Sequence, residues 1–312
     1  MIDKLPILVL NPHNRCNCRC VMCDIWKRDT VQEISPAQLE AQLESIESLG
    51  VEWVVFTGGE ALMHSDLHAL CSPLRDRHIR LTLLSSGLLL ERHAARIAED
   101  FSDLIVSLDG PPAVHDRIRR IDRAFDHLRA GIERIRATCP EFPIAGRCTV
   151  QRENADSLLD TWRTARRLHL NSISYLAADL TSDAFNRQPG AAPDLNPDPA
   201  LLSDEIERLI ASGECGGFIA ETPAKLRRIA NHFRGEFESP VCNAPWISAV
   251  IEAEGAVRPC FFQPPIGRLT SGVTLRDVLN GPQAIAFRDR LDIATNSICR
   301  RCVCSLNMRR AA

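Results

Sequence analysis

Thirteen cysteines in a chain of 312 residues are the residues to start from, because four of them fall within residues 16–23 and five within residues 242–304. Where the surroundings are reducing, clustered thiols bind metal or do redox chemistry more often than they form disulfides, and an odd total weakens an all-disulfide reading. Cys16, Cys20 and Cys23 form C-x3-C-x2-C. Thiolates at this spacing can converge on one inorganic centre from a single loop. Three thiolates on a four-iron cluster leave one iron without a protein ligand, and that iron can take a small molecule through nitrogen and oxygen. A zinc site using Cys16, Cys18, Cys20 and Cys23 is the alternative. Towards the other end, Cys242, Cys260 and the closing pair Cys299 and Cys302 make a second four-thiolate set. Spacing alone also fits a structural zinc there, and Cys304 can replace Cys302.

These thiols need elements to position them. LPILVL (5–10) reads as a strand that runs directly into the first cysteine loop. Ser35 and Pro36 give an N-cap and a first helical position, with Leu39, Leu43, Ile46 and Leu49 on one helical face and Gly50 as the stop. Strands follow at 51–56, 79–84, 103–109, 142–150 and 171–177, alternating with helical patterns near 64–77, 91–99, 123–138 and 155–169. Six such β/α repeats predict a parallel sheet, because each crossover returns the chain to the same edge. No G-x-G-x-x-G follows the first strand, which counts against a dinucleotide fold. Residues 181–200 are rich in proline, alanine and aspartate and read as a linker or lid. Helical patterns near 201–212 and 222–233 come next. A hairpin over 247–260 turns at Glu254–Gly255, and short helices are predicted at 275–280 and 284–291.

Composition narrows the class. Hydrophobic residues are 45% and charged residues 25%, which excludes disorder as the dominant state. A net charge of −3 and a pI of about 6.3 give no support to nucleic-acid binding by bulk charge. No apolar run reaches the length of a membrane span, and the N-terminus lacks a basic leader and a cleavage site, so the expected compartment is the cytoplasm.

With its place after the first strand, the C-x3-C-x2-C loop resembles the signature of the radical S-adenosylmethionine (SAM) superfamily. The resemblance implies a 4Fe–4S cluster on Cys16, Cys20 and Cys23 whose open iron chelates the methionine part of SAM. Reductive cleavage then gives a 5′-deoxyadenosyl radical that abstracts hydrogen from a substrate. Cys18 stands where the family usually has an apolar or small residue and reads as a spare thiol. Met22 stands at a position that often holds an aromatic residue near the adenine. Gly58-Gly59-Glu60 after the second strand resembles the family's G-G-E-P loop, with Ala61 in place of proline. The glycines would let the backbone approach the ligand, and Glu60 would accept from the methionine ammonium. Ser107-Leu108-Asp109-Gly110, with His115, Asp116 and Arg119 beyond, resembles the fourth-strand S-x-D-G…H-D-x-x-R pattern. By period-two alternation Ser107 and Asp109 share a face and are candidates for SAM or its ribose, whereas His115, Asp116 and Arg119 read equally as a loop salt-bridge network. On the fifth strand Arg147 and Thr149 share a face, which makes Arg147 a candidate for binding a carboxylate or hydroxyl of the cofactor inside the barrel, and Cys148 reads as a buried small hydrophobe.

The later segment, C-x12-G-x4-C followed by C-x2-C, resembles the auxiliary-cluster region of the SPASM/twitch subgroup. The resemblance implies a second, auxiliary 4Fe–4S cluster on Cys242, Cys260, Cys299 and Cys302. Twitch enzymes include the inosamine dehydrogenase of aminoglycoside biosynthesis, in which such a cluster takes the substrate electron. The expected fold is therefore α/β: a partial (β/α)6 TIM-like barrel over residues 1–180, a linker with connecting helices over 181–239, and a cysteine-rich twitch/SPASM-like domain over 240–312. The expected function is dehydrogenation of a sugar or cyclitol carbinol, with a reductant such as flavodoxin or ferredoxin as partner and neither nucleic acid nor membrane. Epimerisation or peptide maturation is the alternative enzyme reading. The 15 residues before Cys16 leave no room for a leader-peptide-binding domain and lean against the peptide reading. A non-catalytic iron–sulfur or zinc protein is the alternative of another class. Cys215 and Cys304 are the free thiols expected nearest a pocket.

Overall fold

In the computed structural model, residues 1–179, 184–187, 194–238, 240–304 and 306 are described. Strands β1 (Ile7–Leu10), β2 (Trp53–Phe56), β3 (Arg80–Ser85), β4 (Asp103–Ser107), β5 (Ile144–Val150) and β6 (Ser172–Ala177) pair in chain order, all parallel. Their apolar alternation explains the layering. Along β5, Ile144, Gly146, Cys148 and Val150 are buried, while Ala145, Arg147 and Thr149 are half-buried on the other face. Leu8, Val54 and Leu81 stand in neighbouring positions on β1, β2 and β3 and are fully buried. Each such side chain contributes roughly 1.5–3 kcal/mol. Helices cross between successive strands, including Leu67–Arg75, Leu90–Asp100, Ala124–Thr138 and Leu158–Arg167.

The sheet does not stop at β1. β7 (Ser248–Ile251) pairs parallel with β1, and β8 (Ala256–Arg258) and β9 (Gly267–Arg268) follow antiparallel, giving nine strands in the order β6-β5-β4-β3-β2-β1-β7-β8-β9. The expected hairpin is thus the extension of the barrel sheet. Gly255, at φ +84°, makes its turn. The linker expected over 181–200 lies partly outside the described residues, as do residues 305 and 307–312.

Two local expectations differ from the structure. The helix expected from Pro36 to Leu49 is two helices, Pro36–Glu40 and Leu43–Ser48. At the break, the Gln42 side chain donates to the Val273 carbonyl at 3.3 Å and accepts from the Leu275 amide at 2.7 Å. Leu275 opens the helix Leu275–Asn280, whose Asn280 closes on both backbone groups of Ile2. A second difference is the helix Pro112–Arg119, which fills a stretch expected to be loop. Proline at its first helical position costs nothing there, since that amide has no intrahelical partner. No helix among the described residues is long and apolar enough to cross a membrane.

Replacing Gln42 by Ala leaves two backbone groups without their partner. The expected cost is about 2 kcal/mol or more, measured by anaerobic urea unfolding against the wild type.

Candidate functional site

β1 delivers the chain at Leu10, and the cysteine loop is then fastened from two sides. Asn14 donates to the Thr30 carbonyl at 3.1 Å and accepts from the Gln32 amide at 2.9 Å. On the other side the Arg19 and Val21 amides donate to the carbonyls of Arg119 and Ile118, at 3.1 and 3.0 Å. The end of helix Pro112–Arg119 therefore acts as a rail for the loop. Cys18 and Cys20 are buried, Cys16 and Cys23 half-buried, packed with Met22, Ile118, Ala178 and Leu195. Burial pushes the Cys23 thiol up to about 12. Hydrogen bonding with Cys16 is the largest cause that raises Cys18 to about 12, so Cys18 lies among the three proposed ligands.

Arg119 is the residue that the sequence reading undervalued. Its Nη1 donates to Cys20 Sγ at 3.5 Å, and its Nη2 pairs with Asp109 Oδ2 at 2.6 Å. Both are buried, at 7% and 0% exposure. Burial works against the Arg119 charge, and the Asp109 carboxylate together with the Cys20 and Cys18 sulfurs outweighs it and holds the guanidinium protonated. Asp109 also accepts from the Thr149 amide at 3.0 Å, while its own amide donates to His115 Nδ1 at 3.2 Å. Asp109 is thus an enclosed counter-ion for Arg119, whereas the sequence made it a candidate for contacting SAM or its ribose. Asp116 accepts from the Phe125 amide at 2.8 Å and ties the next helix down.

Glu60 is also enclosed. It is fully buried, and its carboxylate accepts from the Leu62 amide, the Ser85 hydroxyl, and both the amide and hydroxyl of Ser86. Burial pushes its carboxyl up against those donors. Its amide donates to the Arg15 carbonyl at 2.9 Å, joining the G-G-E loop to the cysteine loop. The glycines serve this junction. A Cβ on Gly59 would lie 2.0 Å from the Arg15 carbonyl oxygen, and Gly58, at φ +96°, would place one 2.9 Å from Asn11 Cβ. Asn11 Oδ1 is a buried acceptor with no partner among the described residues, beside the same loop.

Across the inner face of the sheet Ser107, Arg147 and Ser174 stand in register on β4, β5 and β6, with Arg147 Nε 3.4 Å from Ser174 Oγ. Met22 is buried at the end of β5, where the Gln151 side-chain amide lies 3.7 Å from its sulfur and Gln151 Oε1 has no partner among the described residues.

The C-terminal thiols share a second neighbourhood. Burial pushes Cys260 up to about 11, and the nearby Cys299 and Cys242 thiols add to it. Burial likewise raises Cys302, with Cys304, Cys260 and Cys242 around it. Gln263 donates to Cys299 Sγ at 3.2 Å. Cys302 Sγ donates to the Cys304 carbonyl at 3.2 Å, and the Cys304 thiol is near enough to feel the charges of Arg147 and Lys225. Cys215 instead sits by Ile219 and Glu221. Residues 184–187 bridge the two sets. Phe185 accepts from the Asp24 amide at 3.0 Å, and its ring packs 5.1 Å from Phe261, next to Cys260. Between these parts lies a cavity of about 350 Å³ lined by Asn11, His13, Gly58, Gly59, Glu252 and Arg258.

The donor chemistry fits thiolate-held clusters. Soft, desolvated sulfurs gather in two places, and Arg119 Nε is a buried donor beside the first, without a partner among the described residues. Among the described residues no three of these sulfurs lie within 4.8 Å of one another, a looser set than one tetrahedral ion requires. Gly59→Ala drives a methyl into the Arg15 carbonyl. After anaerobic reconstitution it is expected to lose about half of the bound iron. Gly217→Ala, whose Cβ meets nothing closer than 3.6 Å, is expected to load like the wild type.

Residues 10–165 match the Radical SAM superfamily, and residues 242–303 match the SPASM iron–sulfur cluster-binding domain. The Fe-coproporphyrin III synthase of Methanosarcina barkeri (strain Fusaro / DSM 804) is 30% identical over 158 residues, 49% of this chain and 39% of that protein. The antilisterial bacteriocin subtilosin biosynthesis protein AlbA of Bacillus subtilis (strain 168) is 23% identical over 256 residues, 80% of this chain and 54% of that one. The chain spans less than half the length of the synthases it matches. In fold it is similar to Streptococcus suis SuiB bound to S-adenosylmethionine, with a TM-score of 0.70 at 15% identity over 96% of this chain and 72% of that one. The chain belongs to the radical SAM superfamily, with a SPASM-type domain, and its cofactors are SAM, a 4Fe–4S cluster and auxiliary iron–sulfur clustering in that domain.

Proposed function

We propose that the chain is an oxidative radical SAM enzyme acting on a small polar substrate, with dehydrogenation of a sugar or cyclitol carbinol as the favoured reaction. The observation that supports it is the polar cavity of about 350 Å³ that touches both the Gly58–Gly59 loop and the strand pair leading to Cys260. When bound, SAM and the two clusters would supply a 5′-deoxyadenosyl radical for hydrogen abstraction and an acceptor for the electron the substrate gives up.

The chain's own residues then have separable parts. Cys16, Cys20 and Cys23 would hold the first cluster. Cys242, Cys260, Cys299 and Cys302 would hold the second. Gly58 and Gly59 line the cavity with backbone, and Asn11 Oδ1, unpartnered among the described residues, offers an acceptor to the methionine ammonium, while Glu60 holds the loop in place. Ser107 and Arg147 present polar groups on the inner face for the ribose or carboxylate, and Met22 with Gln151 forms an apolar and amide edge for the adenine. Arg28–Glu254 at 3.6 Å and Arg258–Glu252 at 2.8 Å are ion pairs on the cavity wall suited to a hydroxylated, charged substrate. The boundaries 1–180, 181–239 and 240–312 are the proposed units, in a cytoplasmic protein reduced by a flavodoxin or ferredoxin.

A peptide substrate is the second reading. Its support is the match to AlbA across 80% of this chain.

Anaerobic reconstitution tests the assignment. Wild type is expected to bind about eight irons and to release 5′-deoxyadenosine with SAM and dithionite. Cys16→Ala is expected to abolish that release. Cys260→Ala is expected to keep SAM cleavage while losing about four irons and substrate oxidation. Wild type with about four irons and full cleavage would remove the electron acceptor and the dehydrogenase reading with it.

A further inference from the structure

We propose that Arg119, anchored by Asp109, is a positioning residue that raises the reduction potential of the cluster held at Cys20, and that the two residues set that potential in opposite directions. The inference rests on the reading of Cys16, Cys20 and Cys23 as cluster ligands.

The geometry gives Arg119 one sulfur to act on. Nη1 reaches Cys20 Sγ at 3.5 Å, and Nη2 is held by Asp109 at 2.6 Å. The arginine cannot swing away easily, because its backbone carbonyl accepts from the Arg19 amide of the same cysteine loop at 3.1 Å. Asp109 is equally fixed, by the Thr149 amide at 3.0 Å and by its position after β4, where Asn154 donates to its carbonyl at 2.9 Å. Both groups are desolvated, so their fields are poorly screened.

Reduction places one more negative charge on an already anionic centre. A donor on a ligand sulfur stabilises the more negative state and moves the potential up; hydrogen bonds to the sulfurs and local charge are known levers on such clusters. Asp109 lies behind the guanidinium and opposes that effect with its own charge. It also keeps the arginine pointed at the sulfur. The arrangement is a neutral pair with its donor end on the cluster, which stabilises the reduced form without stranding a lone charge in the interior.

The test is a potentiometric titration of reconstituted protein, following the reduced-cluster EPR signal that changes when SAM is added. Arg119→Gln is expected to shift the midpoint to more negative potential. Asp109→Asn, which keeps an oxygen for the Thr149 amide, is expected to shift it to more positive potential. Opposite shifts at full iron content support the proposal. Unshifted midpoints, or shifts of the same sign, overturn it, and a purely structural role would lower iron content in both variants without opposite shifts. If Arg119→Gln takes up no iron, Asp109→Asn decides alone: an upward shift supports the proposal, and no shift or a downward one overturns it. Failure of the ligand reading shows separately, as wild type with no SAM-sensitive signal at all.

Discussion

One buried carboxylate holds the mouth of the barrel together. Through its amide Glu60 grips the cysteine loop at Arg15, and through its side chain it collects four donors from the ends of the loop itself and of β3. The Ser86 hydroxyl, whose proton goes to Glu60, also lies 3.2 Å from the Asn17 side-chain amide, which returns the network to the cysteine loop. Three successive strand ends are thereby locked to each other. A carboxylate without donors would be expensive at full burial, and here its partners offset part of the desolvation. The glycines beside it follow from the same constraint, because only a residue without Cβ lets the Arg15 carbonyl come that close.

A second buried charge, Asp109, does a related task further along the sheet. Glu60 orders backbone, whereas Asp109 orders a cation, and that cation faces a sulfur. The C-terminal segment is bound into the same frame by three independent means. β7 adds to the free edge of β1, Gln42 holds the start of the helix at 275–280 while Asn280 at its end binds Ile2, and Phe185 accepts from the Asp24 amide while its ring packs on Phe261. The two cysteine sets are therefore parts of one scaffold, with the cavity between them.

Much of this was legible from residue types. Four of the six strands alternate cleanly because one face meets helices, so period two survives in the sequence, as in Ile144 to Val150. The cysteine loop and the G-G-E loop announce themselves by following strands. What escaped was set by partners far away in the chain. The break at Gln42 depends on groups more than 230 residues later, and no local propensity encodes that. Helix Pro112–Arg119 hid behind Pro111 and Pro112, which read as loop although proline suits a helix start. The purpose of Gly59 and the burial of Glu60 were invisible because both arise from one loop packing on another. Arg119 did carry a signal, in the H-D-x-x-R spacing, yet a surface ion-pair network explains that spacing as well until Cys20 is seen beside it.

The central claim is that the first thiol set holds a cluster with one iron open to SAM. The most direct measurement is ENDOR spectroscopy of the dithionite-reduced protein with SAM labelled by ¹⁵N at its amino group and ¹⁷O at its carboxylate. The account predicts hyperfine coupling from both labels to the cluster, and loss of that coupling in Cys20→Ala. A fully loaded, reduced cluster that shows no coupling to either label would contradict it.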